Sequence, residues 1–269
     1  MKLKVLTYNT LFGGRDGTDD RRAHAQIGLI NELRPDVFLM QEAKGFEANG
    51  SAWLYALEAS LGMRGFLALA PRTGQNVAIF LREPLQPLSF DADGAHFHHA
   101  LATLKVALPG SDRVLTLMSA HLCPNGPDVR RREATYLGVL AAPDNLTLLT
   151  GDFNSASPHD PEPEGFDVLP PHHQARYLAD DLRTADRTVL ARLEAAGWID
   201  VAHALGQHGV PTVPTADFTG TEFAVMRCDY MLASKALAGC ARACEVVRTP
   251  VTDMASDHYP VLATFEIAP

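Results

Sequence analysis

No stretch of this 269-residue sequence is apolar for long enough to span a bilayer, which excludes a membrane-spanning helix. Nor is there a signal-peptide core, because Met1-Lys2-Leu3-Lys4 runs straight into a strand pattern. The four cysteines (Cys123, Cys228, Cys240 and Cys244) form no CxxC pair. Free thiols in a reducing compartment are the expectation, with a Cys240–Cys244 bridge as the alternative. A cytoplasmic protein without membrane partners follows. Basic residues are also short: 23 Lys and Arg stand against 32 Asp and Glu, a formal net charge of −9, and no Lys/Arg cluster is present. That argues against the broad basic footprint that grips duplex nucleic acid through its phosphates. It leaves a phosphate substrate open, because bound divalent cations would reverse the sign locally. Internal repeats and low-complexity tracts are absent as well.

What is present is ordinary for a globular chain with a sizeable core, 46% hydrophobic and 20% charged. The most informative stretch is 146–155, Leu-Thr-Leu-Leu-Thr-Gly-Asp-Phe-Asn-Ser. Its first part is apolar and β-prone and reads as a buried strand. Gly151 allows a turn, and Asp152 and Asn154, two apart, leave the strand end side by side. A carboxylate there can orient a water or hold a hard cation, and an amide can donate to a phosphate oxygen. An Asx turn is the structural alternative.

Other segments end in the same way. Residues 3–9 read as a strand ending at Asn9, followed by a glycine loop and a helix from Asp19 to about Leu33. Residues 36–42 read as a buried strand ending in Glu42, a carboxylate that the apolar pattern does not require. A helix from Ser51 to about Leu61 precedes strands near 65–70 and 76–82, and Pro84 and Pro87 then break the run. Residues 98–108 and 113–122 pair around the Pro109-Gly110 turn, the second ending at His121. A helix from Pro127 leads to the 146–152 strand. Residues 156–185 are rich in prolines and acids and carry His172-His173; they read as an ordered lid or as a polar surface loop. A helix over 186–196, a strand from about Asp229, a strand over 244–248 and a last strand over 261–267, preceded by Ser256-Asp257-His258, complete the chain.

In order and in position at strand ends, Asn9, Gln41-Glu42, Ser119-Ala120-His121, Gly151-Asp152-Phe153-Asn154, Arg227-Cys228-Asp229-Tyr230 and Ser256-Asp257-His258 resemble the endonuclease/exonuclease/phosphatase superfamily, the fold of pancreatic deoxyribonuclease. The resemblance spans nearly the whole chain and implies an α+β fold, a single domain over 1–269. In it two mostly antiparallel sheets pack face to face with helices outside, a four-layer α/β/β/α sandwich. It also implies metal-dependent hydrolysis of a phosphodiester or phosphomonoester by in-line attack of an activated water.

Transferred residue by residue, the resemblance implies that Glu42 holds Mg2+ or Mn2+, with Asn9 beside it toward the metal or a phosphate oxygen. Asp257 completes the metal shell or holds a second ion. His258, oriented by Asp229, is the general base or a cationic clamp on the phosphate. Asp152 positions or deprotonates the water, and Asn154 donates to the phosphoryl oxygen. His121 protonates the leaving oxygen or stabilises charge. The deoxyribonuclease branch backs this histidine with a glutamate, where this chain has Gln75 and Asn76, and Asn76 is read as substrate-binding. Arg227 reads as a surface arginine, with a place just behind the Asp229–His258 pair as the alternative. Of His98 and His99, one is expected exposed and one packed. Asp160, Glu162 and Glu164 in the insert would repel a long polyanion. The expected partner is a phosphoester, small molecule or nucleic acid, acted on by a monomer. A nuclease is the near alternative, and a non-catalytic phosphoester-binding or scaffold protein is the alternative from another class.

Overall fold

The computed structural model describes every residue except His208, Thr221 and Pro269. The first half runs β1 (Lys2–Asn9), α1 (Arg21–Leu33), β2 (Val37–Gln41), α2 (Ala48–Leu61), β3 (Arg64–Ala68), β4 (Val77–Leu81), β5 (Gln86–Asp93), β6 (Leu101–Ala107) and β7 (Val114–His121). The second runs α3 (Pro127–Gly138), β8 (Leu146–Asp152), α4 (Pro171–Gln174), α5 (Thr188–Ala195), β9 (Ile199–Asp200), α6 (Val201–Ala204), β10 (Asp229–Ala233), α7 (Lys235–Ala238), β11 (Ala241–Val246), α8 (Pro250–Ala255) and β12 (Val261–Glu266).

The strands form two six-stranded sheets, β11-β12-β1-β2-β4-β3 and β5-β6-β7-β8-β10-β9. Within them β1–β2 and β7–β8 are parallel and the other pairings antiparallel. Side-chain alternation builds the layers. Leu3 and Val5, Leu39, Ile79, Leu117 and Leu148 meet in the core between the sheets. Their neighbours Leu6, Tyr8, Phe38, Met40 and Phe80 pack under Ile30 of α1 and Leu54 and Leu57 of α2. On the far side Met118, Leu149, Tyr230 and Leu232 pack under Leu137 of α3 and Leu190 and Leu193 of α5. The result is the α/β/β/α sandwich, and strands buried on both faces explain the uniformly apolar runs. No helix of the described residues is long and apolar enough to cross a membrane. All four cysteines are free, Cys240 and Cys244 included.

Several elements depart from the sequence expectations: α4, α6, α7 and β9 lie outside the expected elements, and β11 spans Ala241–Val246 rather than 244–248. Pro84 and Pro87 do not end the strand pattern: Pro87 lies inside β5, with a register shift between Pro87 and Ser89. That strand is at the sheet edge, where proline removes no ladder hydrogen bond. Helix α8 was not expected; Thr249 and Thr252 form a capping box ahead of it, with Pro250 in its first turn.

Residues 156–185 are organised around a satellite core of Ala156, Phe166, Tyr177 and Ala185 against Val213, Phe223, Met226 and Cys228. Arg227, expected at the surface, is buried instead. Its Nε and Nη2 donate to Asp160 at 2.8 and 3.0 Å, and Nη2 lies 2.7 Å from Asp200 Oδ2. A guanidinium so enclosed needs its carboxylates, so the pair ties the insert to β9. Asp160 is thereby neutralised, and Glu162 pairs with Arg187 at 3.0 Å. Two of the three acids expected to repel a polyanion are already engaged.

Candidate active site

Strand register assembles the site. In the parallel β7–β8 pairing His121 lies beside Asp152, and in the antiparallel β8–β10 pairing Asp229 lies opposite Asp152. The approach of β8 to β7 requires glycine at 151. Its φ is 138°, and a Cβ there would sit 1.9 Å from the Ala120 carbonyl oxygen. The second sheet brings Asn9 and Gln41, paired at the ends of β1 and β2. Gln41 Nε2 crosses between the sheets to Ser119 Oγ and also meets Thr7 Oγ1, each at 3.1 Å. From α1, Arg22 and Gln26 both donate to the carbonyls of Thr10 and Ala255, joining the end of β1 to the segment before β12. Ser256 Oγ then donates to the Asn9 carbonyl at 2.7 Å, which delivers Asp257 and His258. Glu42 and Asn154 both have left-handed backbone, φ 61° and 47°. Such conformations persist where the surroundings over-determine them.

His258 stands between two carboxylates and is hydrogen-bonded to one of them, Asp229. Its Nδ1 is 2.8 Å from Asp229 Oδ2, and its Nε2 is 3.6 Å from Asp152 Oδ2. Asn9 Nδ2 donates to Asp152 Oδ2 at 3.0 Å and to Glu42 Oε1 at 3.2 Å, while its Oδ1 accepts from Leu11 N at 3.2 Å. Two carboxylate acceptors on one side and an N–H donor on the other dictate that amide orientation. Asn9 therefore presents its nitrogen to Glu42 and Asp152 and spaces the two carboxylates. Glu42 Oε2 also accepts from Phe12 N at 3.1 Å. Asn154 Nδ2 donates to the Leu122 carbonyl at 3.1 Å, so at most one of its two N–H bonds can reach a substrate.

Asn76 is buried and hydrogen-bonded within the protein. Its Oδ1 accepts from Ala70 N at 2.8 Å, and its Nδ2 donates to Ala43 O at 3.1 Å and Glu47 Oε2 at 2.5 Å. All of its donors are thus engaged in clamping the loop after Glu42. His121 Nδ1 makes no hydrogen bond among the described residues, consistent with the missing glutamate. His99 stacks on His121 instead, centroids 4.1 Å apart, and is itself 2.8 Å from Thr73 Oγ1. Sequence alone left open which of His98 and His99 is packed; the contact of His99 with His121 depends on how β6 lies beside β7, which no local pattern records. His98 is half-buried, His172 exposed and His173 half-buried.

Electrostatics follow from burial and crowding. Burial, and then Asp257, push the Glu42 carboxyl up to about 7. Burial alone would lower His258, but Asp229 and Asp152 outweigh it and raise it well above the usual imidazole range. Burial, helped by the charges of His258, His98 and Arg176, pushes His121 down to about 3, so it is a neutral imidazole. Asp152, Asp229 and His258 offer ligand atoms within 4.8 Å of one another, a candidate cation cluster. Glu42 and the half-buried Asp257 extend it with further carboxylate oxygens. An acidic oxygen-rich set with an elevated carboxyl fits a hard divalent cation, which would relieve the crowding. Fold and cluster together are those of a metal-dependent phosphoesterase or nuclease site.

Comparisons agree with this. A search of curated proteins found no match. Among solved structures, an endonuclease/exonuclease/phosphatase from Bacteroides vulgatus superposes with a TM-score of 0.72 at 13% identity over 100% of both chains. An AP endonuclease from Archaeoglobus fulgidus gives 0.69 at 20% identity, covering 98% of this chain and 100% of that one. D. rerio TDP2 complexed with single strand DNA product gives 0.69 at 17%, covering 99% of each. At these identities the likeness is one of fold. The model of the Endonuclease/Exonuclease/phosphatase family matches residues 6–258, and the chain belongs to that family.

Proposed function

We propose that the protein is a Mg2+- or Mn2+-dependent phosphoric ester hydrolase that cleaves a phosphodiester or phosphomonoester by in-line attack of water. The observation that carries this reading is the buried Asp229, His258 and Asp152 cluster, in which Asp229 bonds His258 and Asn9 joins Asp152 to Glu42, at the ends of strands from both sheets. Glu42 and Asp257 would hold the cation, which when bound would stabilise charge developing on the phosphoryl oxygens. Asp229 holds His258 in its charged form, which suits it to clamp a phosphate oxygen. Asp152, fixed by Asn9 Nδ2 and by the Asn154 backbone N–H at 2.8 Å, orients the attacking water and takes its proton. His121, a neutral imidazole 3.4 Å from Asp152, can steady charge on the leaving oxygen through a hydrogen bond from Nε2–H, and the leaving oxygen takes its proton from water. Asn154 contributes its remaining N–H to the phosphoryl oxygen.

A small or single-stranded phosphoester is the favoured substrate, given the acidic balance of the chain and the insert that follows Asn154. The D. rerio protein of this fold was solved with a single strand DNA product, which keeps single-stranded nucleic acid in the set. Four free cysteines support a reducing, cytoplasmic setting. The test is a panel of bis(p-nitrophenyl) phosphate, its monoester, nucleotides, single-stranded DNA, RNA and plasmid with Mg2+ or Mn2+. Metal-dependent turnover abolished by EDTA is expected. Full activity in excess EDTA, or none on any phosphoester, would overturn the reading in favour of a binding or scaffold protein.

A further inference from the structure

The insert brings one cation to the site. Arg176 follows α4, and its position is built from both ends. Its backbone carbonyl accepts from Nη2 of the fully buried Arg130 at 2.7 Å, and its own Nε donates to the Pro124 carbonyl at 2.9 Å, in the loop after β7. The guanidinium carbon lies 5.8 Å from the centroid of the Phe223 ring, and Phe223 stands edge-to-face on His258 at 5.4 Å. Through Phe223, Arg176 borders the catalytic floor on the side of His258.

Its counter-ion is Glu222, whose Oε2 lies 2.5 Å from Nη1. The Glu222 side chain is 45% exposed against 15% for Arg176. A carboxylate so open to water contributes little as a tie. The insert has stronger anchors, in the Asp160–Arg227 pair and the satellite core around Tyr177. A largely buried guanidinium whose partner is exposed is suited to exchange that partner, and the guanidinium fork matches phosphate oxygens.

We propose that Arg176 binds a non-bridging phosphate oxygen of the substrate, with Glu222 holding the guanidinium until that oxygen replaces it. The proposal rests on the phosphoesterase reading for the substrate, but the site it names is one for phosphate and can be tested by binding alone. Glu222 then competes with substrate, which gives the two partners opposite signs: removing Arg176 weakens phosphate binding, and neutralising Glu222 strengthens it.

The experiment titrates inorganic phosphate into wild type, Arg176→Ala, Arg176→Lys and Glu222→Gln by calorimetry in Mg2+, beside KM and kcat on bis(p-nitrophenyl) phosphate and thermal melts. Arg176→Ala should weaken phosphate at least about tenfold, the loss of one charge-assisted hydrogen bond, with Lys restoring part of it. Glu222→Gln should tighten phosphate and lower KM. If both variants weaken phosphate together, or if Arg176→Ala lowers the melting temperature while leaving phosphate affinity and KM unchanged, Arg176 is a structural tie and the proposal fails. Should Arg176→Ala not fold, Glu222→Gln decides alone, since unchanged or weaker phosphate binding overturns the exchange. A wild type that binds phosphate with these signs but hydrolyses no ester would sink the enzymatic reading and leave the arginine site standing.

Discussion

At the strand ends Asp152 is 1% exposed and held by register between His121 on one neighbouring strand and Asp229 on the other. In the insert that begins a few residues later, position depends on side chains: Arg227 between Asp160 and Asp200, Arg187 on Glu162, and a core of nine buried residues separate from the main ones. The first region inherits its geometry from two sheets whose cores stay intact if one polar atom changes. The second has little backbone pairing to fall back on, only isolated bridges such as Glu164–Val225 and Leu178–Ala185. Substitutions in the floor should therefore alter chemistry with the fold preserved. Substitutions in the insert should alter stability and substrate binding first.

The largest expected effect is Glu42→Gln. Turnover should fall about 10³-fold, comparable to loss of a key electrostatic stabiliser, with the response to Mg2+ concentration displaced. The fold should survive, and the pH dependence of stability supplies a second readout. Without metal, the Glu42 carboxyl titrates near 7 in the folded state and near about 4.3 unfolded. Between those values the folded state holds a proton that the unfolded state has released, so this group's contribution falls as pH rises through that window. Melting temperature against pH should be flatter over the same window in metal-free Glu42→Gln than in wild type. An unchanged metal response, or identical pH slopes, would remove Glu42 from the metal site.

Next come His258→Ala and Asp229→Asn. Each should cost about 10²- to 10³-fold, and the double variant little more than the worse single, because the two act as a unit. Asp229→Asn should also lower the titration midpoint of the His258 ring, followed by imidazole NMR, since burial then meets less opposition. Additive losses, or an unmoved midpoint, would separate the two roles.

The smallest effect sharpens the contrast from the insert side. Asp160→Asn leaves Arg227 with a weakened set of carboxylates and should cost about 1–3 kcal/mol of stability in chemical denaturation. Hydrolysis of a minimal diester by the folded fraction should barely change. A collapse of kcat with stability intact would mean that the insert carries part of the floor. A single charge is a cleaner probe than replacing 158–183 outright, because Phe166 and Tyr177 cover Met226 and Cys228, and their removal would expose that cluster.

The sequence by itself determined where the chemistry emerges. Apolar runs that stop at Asn9, Glu42, His121 and Asp152, and Asp229 and His258 at the starts of two others, are local patterns, and local patterns survive folding because strand alternation and burial act on neighbours in the chain. Tertiary structure alone decided what each polar atom faces. It turned the Asn9 oxygen away from the carboxylates, used up Asn76 on Ala70, Ala43 and Glu47, and laid His99 on His121. It also buried Arg227 and brought Arg176 to the site from more than twenty residues beyond Asn154. Those outcomes depend on which strand lies beside which and on which donor meets which acceptor across two sheets. A hydrogen bond is set by a few tenths of an ångström between groups far apart in sequence, and no spacing along the chain encodes that distance.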